Sequence, residues 1–422
     1  MGNSMTETVK FPSGVCGDAL TEVLRAGAQR LLAEAVRIEA EAWVAARADQ
    51  VDAQGHRQVV RNGYLPERHV MTGIGMLPIR QPRVEDRRPA DQREAFDRKI
   101  LPPYLRRTQS LDEAIPWMYL YGISTNDMSE PLESLLGPAA KGVSASTVSR
   151  LVAAWQKQYA DWNKRSLADK RYVYIWADGI YFNIRMEDNR ACILVLLGAT
   201  ETGEKEILAI TDGYRESEQS WTGLLLDVKS RGLTMAPKLA IGDGALGFWM
   251  ALEKIYPNTR QQRCWVHKAA NVVSKLPDRL GKEANHRLRQ IWMAATKADA
   301  NKAFDMFIET YQDKYSSAVE CLKKDRERLL TFYDFPAKHW THIRTSNPIE
   351  SMFSTVRLRH NKTRNNASRV ACLAMVYKLG QSAQRNFQRL NGAEQMKDVV
   401  VGIIYEDGIK KSAARNSFAH NI

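Results

Sequence analysis

Between residues 172 and 213 three apolar, β-branched-rich runs follow one another: YVYIWADGIYFNIR, ACILVLLGAT and EKEILAITDG. Short polar breaks, MEDNR and ETGE, part them, so they read as three successive strands joined by hairpins. The pattern then changes. ESEQSWTGLLLDVKSRG has helical spacing, KLAIGD is a short strand, GALGFWMALEKIYP is a second helix and RQQRCWVHK supplies a fifth strand. Few folds accommodate this order. Strands joined by hairpins pair antiparallel and strands joined through helices pair parallel, which requires a mixed sheet with helices on its faces.

Three antiparallel strands followed by alternating helix and strand is the order of a ribonuclease-H-like α/β core. Residues 271 to 343 carry helical pattern only, too long for a connection, and read as an all-α insertion that packs as its own subdomain. The core is thus expected over 169–270 and 344–400, with 401–422 as a tail. Ahead of it, residues 17–48 are an amphipathic helical stretch, and the next thirty form short β-like runs punctuated by Gly and Pro. Arginines recur at 80, 83, 87, 88, 93, 98, 106 and 107, so the first region, 1–107, ends in an extended basic arm. Residues 108–168 look wholly helical. A short helix, a turn and a second helix with Val148, Leu151, Val152 and Trp155 at buried spacing describe a helix-turn-helix, leaving Ser146, Thr147 and Arg150 to face DNA. An ordinary αα-hairpin has the same pattern.

The net charge of +13 over 422 residues points to a polyanionic partner, first of all double-stranded DNA. No apolar stretch is long enough for a membrane span and the five cysteines are scattered, so a reduced, cytoplasmic protein is expected. No phosphate-binding glycine loop is evident, and no nucleotide cofactor is expected.

Metal-assisted phosphodiester chemistry needs hard oxygen ligands on rigid elements that the fold brings together. In a ribonuclease-H-like sheet those places are the first strand, the end of the fourth strand and a later helix. The chain has an acid at each: Asp178 in IWADGIY, Asp243 in AIGDGALGF and Glu350 in NPIESMF. Each also has a plain structural role. Asp178-Gly179 fits a hairpin turn, Asp243 fits a helix N-cap, and Glu350 fits a capping box opened by Asn347 and Pro348.

DGALGFWMALEKIYPNTRQQRCWVH and RTSNPIES give the chain a resemblance to the Mutator-type DDE transposases, in particular their bacterial insertion-sequence branch. The matching positions are Asp243, Gly247, Phe248, Tyr256, Pro257, Thr259, Gln262, Cys264 and His267; Ile255 stands where the family has a smaller residue. The resemblance implies a transposase that binds the terminal inverted repeats of its own element, nicks the ends and joins the freed 3′-hydroxyls to target DNA. It implies Asp178, Asp243 and Glu350 as ligands of two Mg²⁺ or Mn²⁺ ions, His267 beside the scissile phosphate, and Cys264 packed in the fifth strand. Joining two ends implies a homodimer or larger homo-oligomer, and the resemblance implies a bacterial, nucleoid-associated protein. Arg344, Arg357, Arg359, Lys362 and Arg364 flank Glu350 and are expected to contact phosphates. Trp292 and Trp340 fit core packing better than stacking on a base. A structure-selective nuclease and a catalytically inert DNA-binding regulator remain as other readings.

Overall fold

The computed structural model describes residues 19–121, 123, 128–136, 145–183, 191–213, 215–244, 246–363 and 368–411, in two compact units, 1–149 and 150–422. In the first unit the long helix α1 (Ala19–Ala45) packs on two antiparallel pairs. Strand β1 (Val59–Tyr64) pairs with β4 (Pro82–Asp86), and β2 (Arg68–Thr72) with β3 (Gly75–Ile79). Val36, Val70, Leu77, Ile79 and Leu101 form its core. The expected basic arm is instead folded. Residues 82–86 are strand, Leu101 is buried, and interspersed acids pair with two of the arginines: Arg88 with Asp86 at 2.6 Å and Glu94 at 3.2 Å, and Arg87 with Glu85 at 3.3 Å. Helices α2 (Gln109–Leu120), α3 (Ser129–Leu136) and α4 (Ala145–Asn163) follow. The turn between α3 and α4, residues 137–144, and the side chains of Ser146 and Thr147 lie outside the described residues; Arg150 is exposed.

The second unit is built on one five-stranded mixed sheet. Its strands are β5 (Tyr172–Phe182), β6 (Ala191–Thr200), β7 (Lys205–Gly213), β8 (Leu239–Gly242) and β9 (Arg260–Arg263), in the spatial order β7-β6-β5-β8-β9. The hairpin-joined β5, β6 and β7 pair antiparallel, whereas β8 and β9 run parallel to β5. Alternation sorts the side chains. Ile175 and Ala177 of β5 face a core built with α5 (Glu218–Ser230) and α6 (Leu246–Ile255), around Trp221, Leu225, Phe248 and Leu252. Tyr174 and Trp176 face the other side, where Tyr174 Oη bonds His339 Nδ1 at 2.8 Å and Trp176 Nε1 donates to the His342 carbonyl.

After β9 come α7 (Trp265–Val273), α8 (Asp278–Met293), α9 (Lys297–Tyr311), α10 (Ser316–Lys323), α11 (Arg326–Leu329) and α12 (Trp340–Ile343), the expected all-helical stretch. Gln262 ties it to the sheet, donating to the Leu329 carbonyl and accepting from the Phe332 N–H. Trp292 packs on Trp265 and Trp340 against Phe332 and Tyr333, so both tryptophans serve the core. Helices α13 (Asn347–Thr363) and α14 (Arg369–Gln384) return to the sheet, followed by α15 (Met396–Val401). The stretch after 401 is no loose tail as far as Lys411. It makes a hairpin of β10 (Tyr405–Glu406) and β11 (Ile409–Lys410), turned by Asp407-Gly408 with both φ positive. Gly408 N donates to the Tyr333 carbonyl, and Asp407 Oδ1 accepts from Lys297 N.

Candidate active site

Asp178 lies inside β5, opposite Val195 of β6, so it makes no hairpin turn. The parallel register of β5 and β8 runs Tyr174↔Leu239 to Ala177↔Gly242. One step further along that register, Asp243 leaves the carboxyl end of β8 beside Asp178, the end of a parallel strand where such sheets place ligands. Trp249 Nε1 donates to the Asp243 carbonyl at 3.1 Å and fixes the turn into α6.

Asp178 is 7% exposed. Its one hydrogen bond comes from the adjacent Gly179 N–H at 2.9 Å, and it pairs with no lysine or arginine among the described residues. Burial pushes its carboxyl up to about 7, against the attraction of His267, and the negative charges of Asp243 and Glu350 push the same way.

Glu350 stands in the first turn of α13. The N-cap is Ser346, not Asn347: its carbonyl accepts from Ile349 N and Glu350 N. Nor is there a capping box, because Ser346 N donates to Cys264 Sγ at 3.2 Å rather than to the Glu350 carboxylate. The Ser346 hydroxyl donates instead to Glu350 Oε1 at 2.9 Å. It also lies 3.2 Å from Cys264 Sγ and 3.3 Å from His267 Nδ1. A hydroxyl has one proton, so with that proton on Glu350 the other contacts must bring donors to its oxygen.

Cys264 is not in the fifth strand. It follows β9 as the N-cap of α7, and its N–H extends the ladder to the Gly242 carbonyl at 2.8 Å. Three residues on, His267 comes round in the first turn of α7 with Nδ1 3.8 Å from Glu350 Oε1. The neighbouring Cys264 sulfur, with Asp178 and Asp243, lifts its imidazole to about 9 against burial. Single ligand atoms of Cys264, His267 and Glu350 lie within 4.8 Å of one another, but the Ser346 hydroxyl links all three as a hydrogen-bonded group.

A fourth acid enters the site that the sequence pattern does not reveal. Glu216, just before α5, lays its carboxyl on Gly179, where a Cβ would lie 2.7 Å from it. Burial raises it to about 7, and Asp243 and Asp178 add to the rise. A single glutamate in a polar connection carries no periodic signal; only the Gly179 gap hints at something needing space there. Several hard carboxylate oxygens, the deepest of them without a lysine or arginine partner, fit a divalent cation.

Of the expected phosphate contacts, Arg357 is exposed on α13. Arg359 is 3% exposed in this structure. It continues the buried stripe Ile349, Met352, Phe353 and Val356 at helical spacing. Arg344 donates from Nη1 to the Trp292 carbonyl at 3.0 Å and braces the end of α8. The Lys362 side chain and Arg364 lie outside the described residues.

The family model for "Transposase, Mutator family" matches residues 4–390, and the chain belongs to this family. It is 46% identical over 289 residues to the transposase for insertion sequence element IST2 of Acidithiobacillus ferrooxidans, covering 67% of this chain and 95% of that one. It is 45% identical over 298 residues to the transposase for IS6120 of Mycolicibacterium smegmatis, covering 71% and 92%. A more distant relative, the transposase for ISRM5 of Rhizobium meliloti, is 26% identical over 384 residues, covering 90% and 92%. No helix among the described residues is long and apolar enough to cross a membrane.

Proposed function

We propose that this transposase cuts and joins DNA strands at the ends of its insertion sequence by a DDE mechanism on a ribonuclease-H-like core. The strand order β7-β6-β5-β8-β9, with β6 antiparallel to its neighbours, supports that core assignment. The observation that carries the reading is Asp178: a carboxylate 7% exposed, with no lysine or arginine partner, within electrostatic reach of Asp243 and Glu350. Asp178, Asp243 and Glu350 would hold two divalent cations, Mg²⁺ or Mn²⁺, whose bound chemistry is to activate water or a 3′-hydroxyl and to stabilise the leaving oxygen. Ser346 orients the Glu350 carboxylate, and Cys264 anchors Ser346. His267, held as imidazolium near neutral pH, balances negative charge where a scissile phosphate would lie. The helices between 108 and 168 would read the terminal inverted repeats, with Arg150 among their exposed cations, and Arg357 would meet phosphate. Two ends to be joined call for at least a homodimer.

The test is a cleavage and strand-transfer assay on duplexes from the ends of the element, with Mg²⁺ or Mn²⁺. Asp178→Asn, Asp243→Asn and Glu350→Gln should each abolish cleavage and joining while DNA binding persists or tightens, since negative charge near phosphates is lost. Full activity in any one of the three would refute the assignment. Cleavage without joining of a pre-cut 3′-hydroxyl end would favour a nuclease, and unchanged cellular behaviour of all three an inert regulator.

A further inference from the structure

The turn that carries Asp243 has a second side. From Gly244 a cavity of about 310 Å³ opens onto Arg263, Lys268, Lys324, Asp325 and Arg328. We propose that this cavity is a subsite for a backbone phosphate of the DNA strand on which the acids act; the inference rests on the function proposed above.

Arg263 carries the argument. It ends β9 in register with Gly242 and is 3% exposed, yet its guanidinium makes no hydrogen bond among the described residues. Its Nε and Nη1 are buried without a partner, and its one ionic contact, Nε to Asp325 Oδ2, is a loose 3.4 Å. A buried, unsatisfied guanidinium is costly, and such groups persist where a ligand satisfies them. Asp325 makes no hydrogen bond to it and is engaged by Lys268, equally buried, in a close ion pair, while Lys268 also donates to the Cys321 carbonyl at 2.7 Å. Four cations meet one acid, so the cavity has a formal charge of 4 − 1 = +3. Among the described residues only Arg328 finds another acid, Glu253 at the rim, at 3.6 Å.

Gly244 explains how the guanidinium comes so close. A Cβ there would lie 2.1 Å from Arg263 Nη2, so only glycine lets the guanidinium rest against the residue that follows Asp243. A flat fork of N–H donors in a cationic hollow suits a phosphodiester, which it can bind through two parallel hydrogen bonds. A phosphate seated there would hold the strand beside the acids. The same chemistry would take free inorganic phosphate, and the test separates the two sources.

The experiment measures equilibrium binding of the full chain to element-end duplexes, each with one phosphate near the cleavage point replaced by a neutral methylphosphonate. In the wild type, one position should weaken binding about 10- to 100-fold, the worth of a charge-assisted hydrogen bond. Arg263→Gln should weaken binding to the unmodified duplex by a similar factor and no longer respond at that position. Lys324→Ala, an exposed change that the fold should tolerate, should show a smaller loss coupled to the same position. The DNA-free Arg263→Met variant should melt no lower than wild type, since the fold loses an unsatisfied buried charge. Identical methylphosphonate profiles in wild type and both variants would overturn the proposal, as would wild type that binds no duplex. Displacement by millimolar inorganic phosphate without any coupled position would assign the cavity to free phosphate instead. Failure of the Asp178, Asp243 and Glu350 variants to lose cleavage would count against the active-site reading alone, since the subsite is read by binding.

Discussion

Replacing Asp178 by asparagine should stabilise the metal-free protein above neutral pH while removing its activity. The carboxyl moves from 3.8 to about 7 because the fold buries it without a lysine or arginine partner, and burial outweighs the attraction of His267. A folded value above the unfolded one means that stability is fully present below about pH 4 and is lost as pH rises through 7. The shift of about three units corresponds to about 4 kcal/mol at pH 8 and under about 2 kcal/mol at pH 5. The first figure is an upper bound, since water entering the site relieves part of the cost. An asparagine of nearly the same shape never ionises, so Asp178→Asn should exceed wild type by about 2–4 kcal/mol at pH 8 in EDTA, and by less at pH 5. Mg²⁺ should reverse the order, because it stabilises only the protein that keeps its ligands. Urea unfolding followed by tryptophan fluorescence reads the transition, most of the tryptophans, Trp176 and Trp221 among the buried ones, lying in the second unit. A variant less stable than wild type at pH 8 in EDTA, or a difference that does not change with pH, would refute the reasoning.

Ser346→Ala removes the hydroxyl that Glu350, His267 and Cys264 share. Strand cleavage should fall about 10- to 100-fold, as for loss of a residue that orients a ligand, and stability by about 1 kcal/mol, seen in cleavage time courses and melting curves. Gly179→Ala would place a methyl 2.7 Å from the Glu216 carboxyl, a flexible end that can swing away. The fold should survive with Tm nearly unchanged, while Mn²⁺ affinity measured by calorimetry falls; unchanged affinity would take Glu216 out of the site. In Gly247→Ala the new methyl meets fixed backbone, 2.4 Å from the Glu216 carbonyl oxygen and 2.6 Å from Glu218 N. That variant should lose about 1–3 kcal/mol in urea unfolding.

What the sequence alone determined is the run of elements and the chemistry they carry. Period-two apolar runs and 3.6-residue helical stripes are local, so β5 to β8 and α8 onward lie where hydropathy and spacing place them, whereas the run RQQRCWVHK divides into β9 and the start of α7. The basic excess is likewise plain arithmetic on composition. Tertiary structure decided which side chains meet. The parallel register of β5 on β8 sets Asp178 beside Asp243, and the packing of α7 against the start of α13 moves the cap to Ser346 and takes its N–H to Cys264. Burial of one face of α13 takes in Arg359, and pairs such as Arg88 with Asp86 and Glu94 hold part of the arginine-rich stretch after Arg80 on its own unit. Glu216 and Arg263 emerged only in three dimensions. Their significance lies in neighbours far away in the chain, Gly179 for one and Gly244 with Asp325 for the other, and no pattern of nearby residues encodes such a distance.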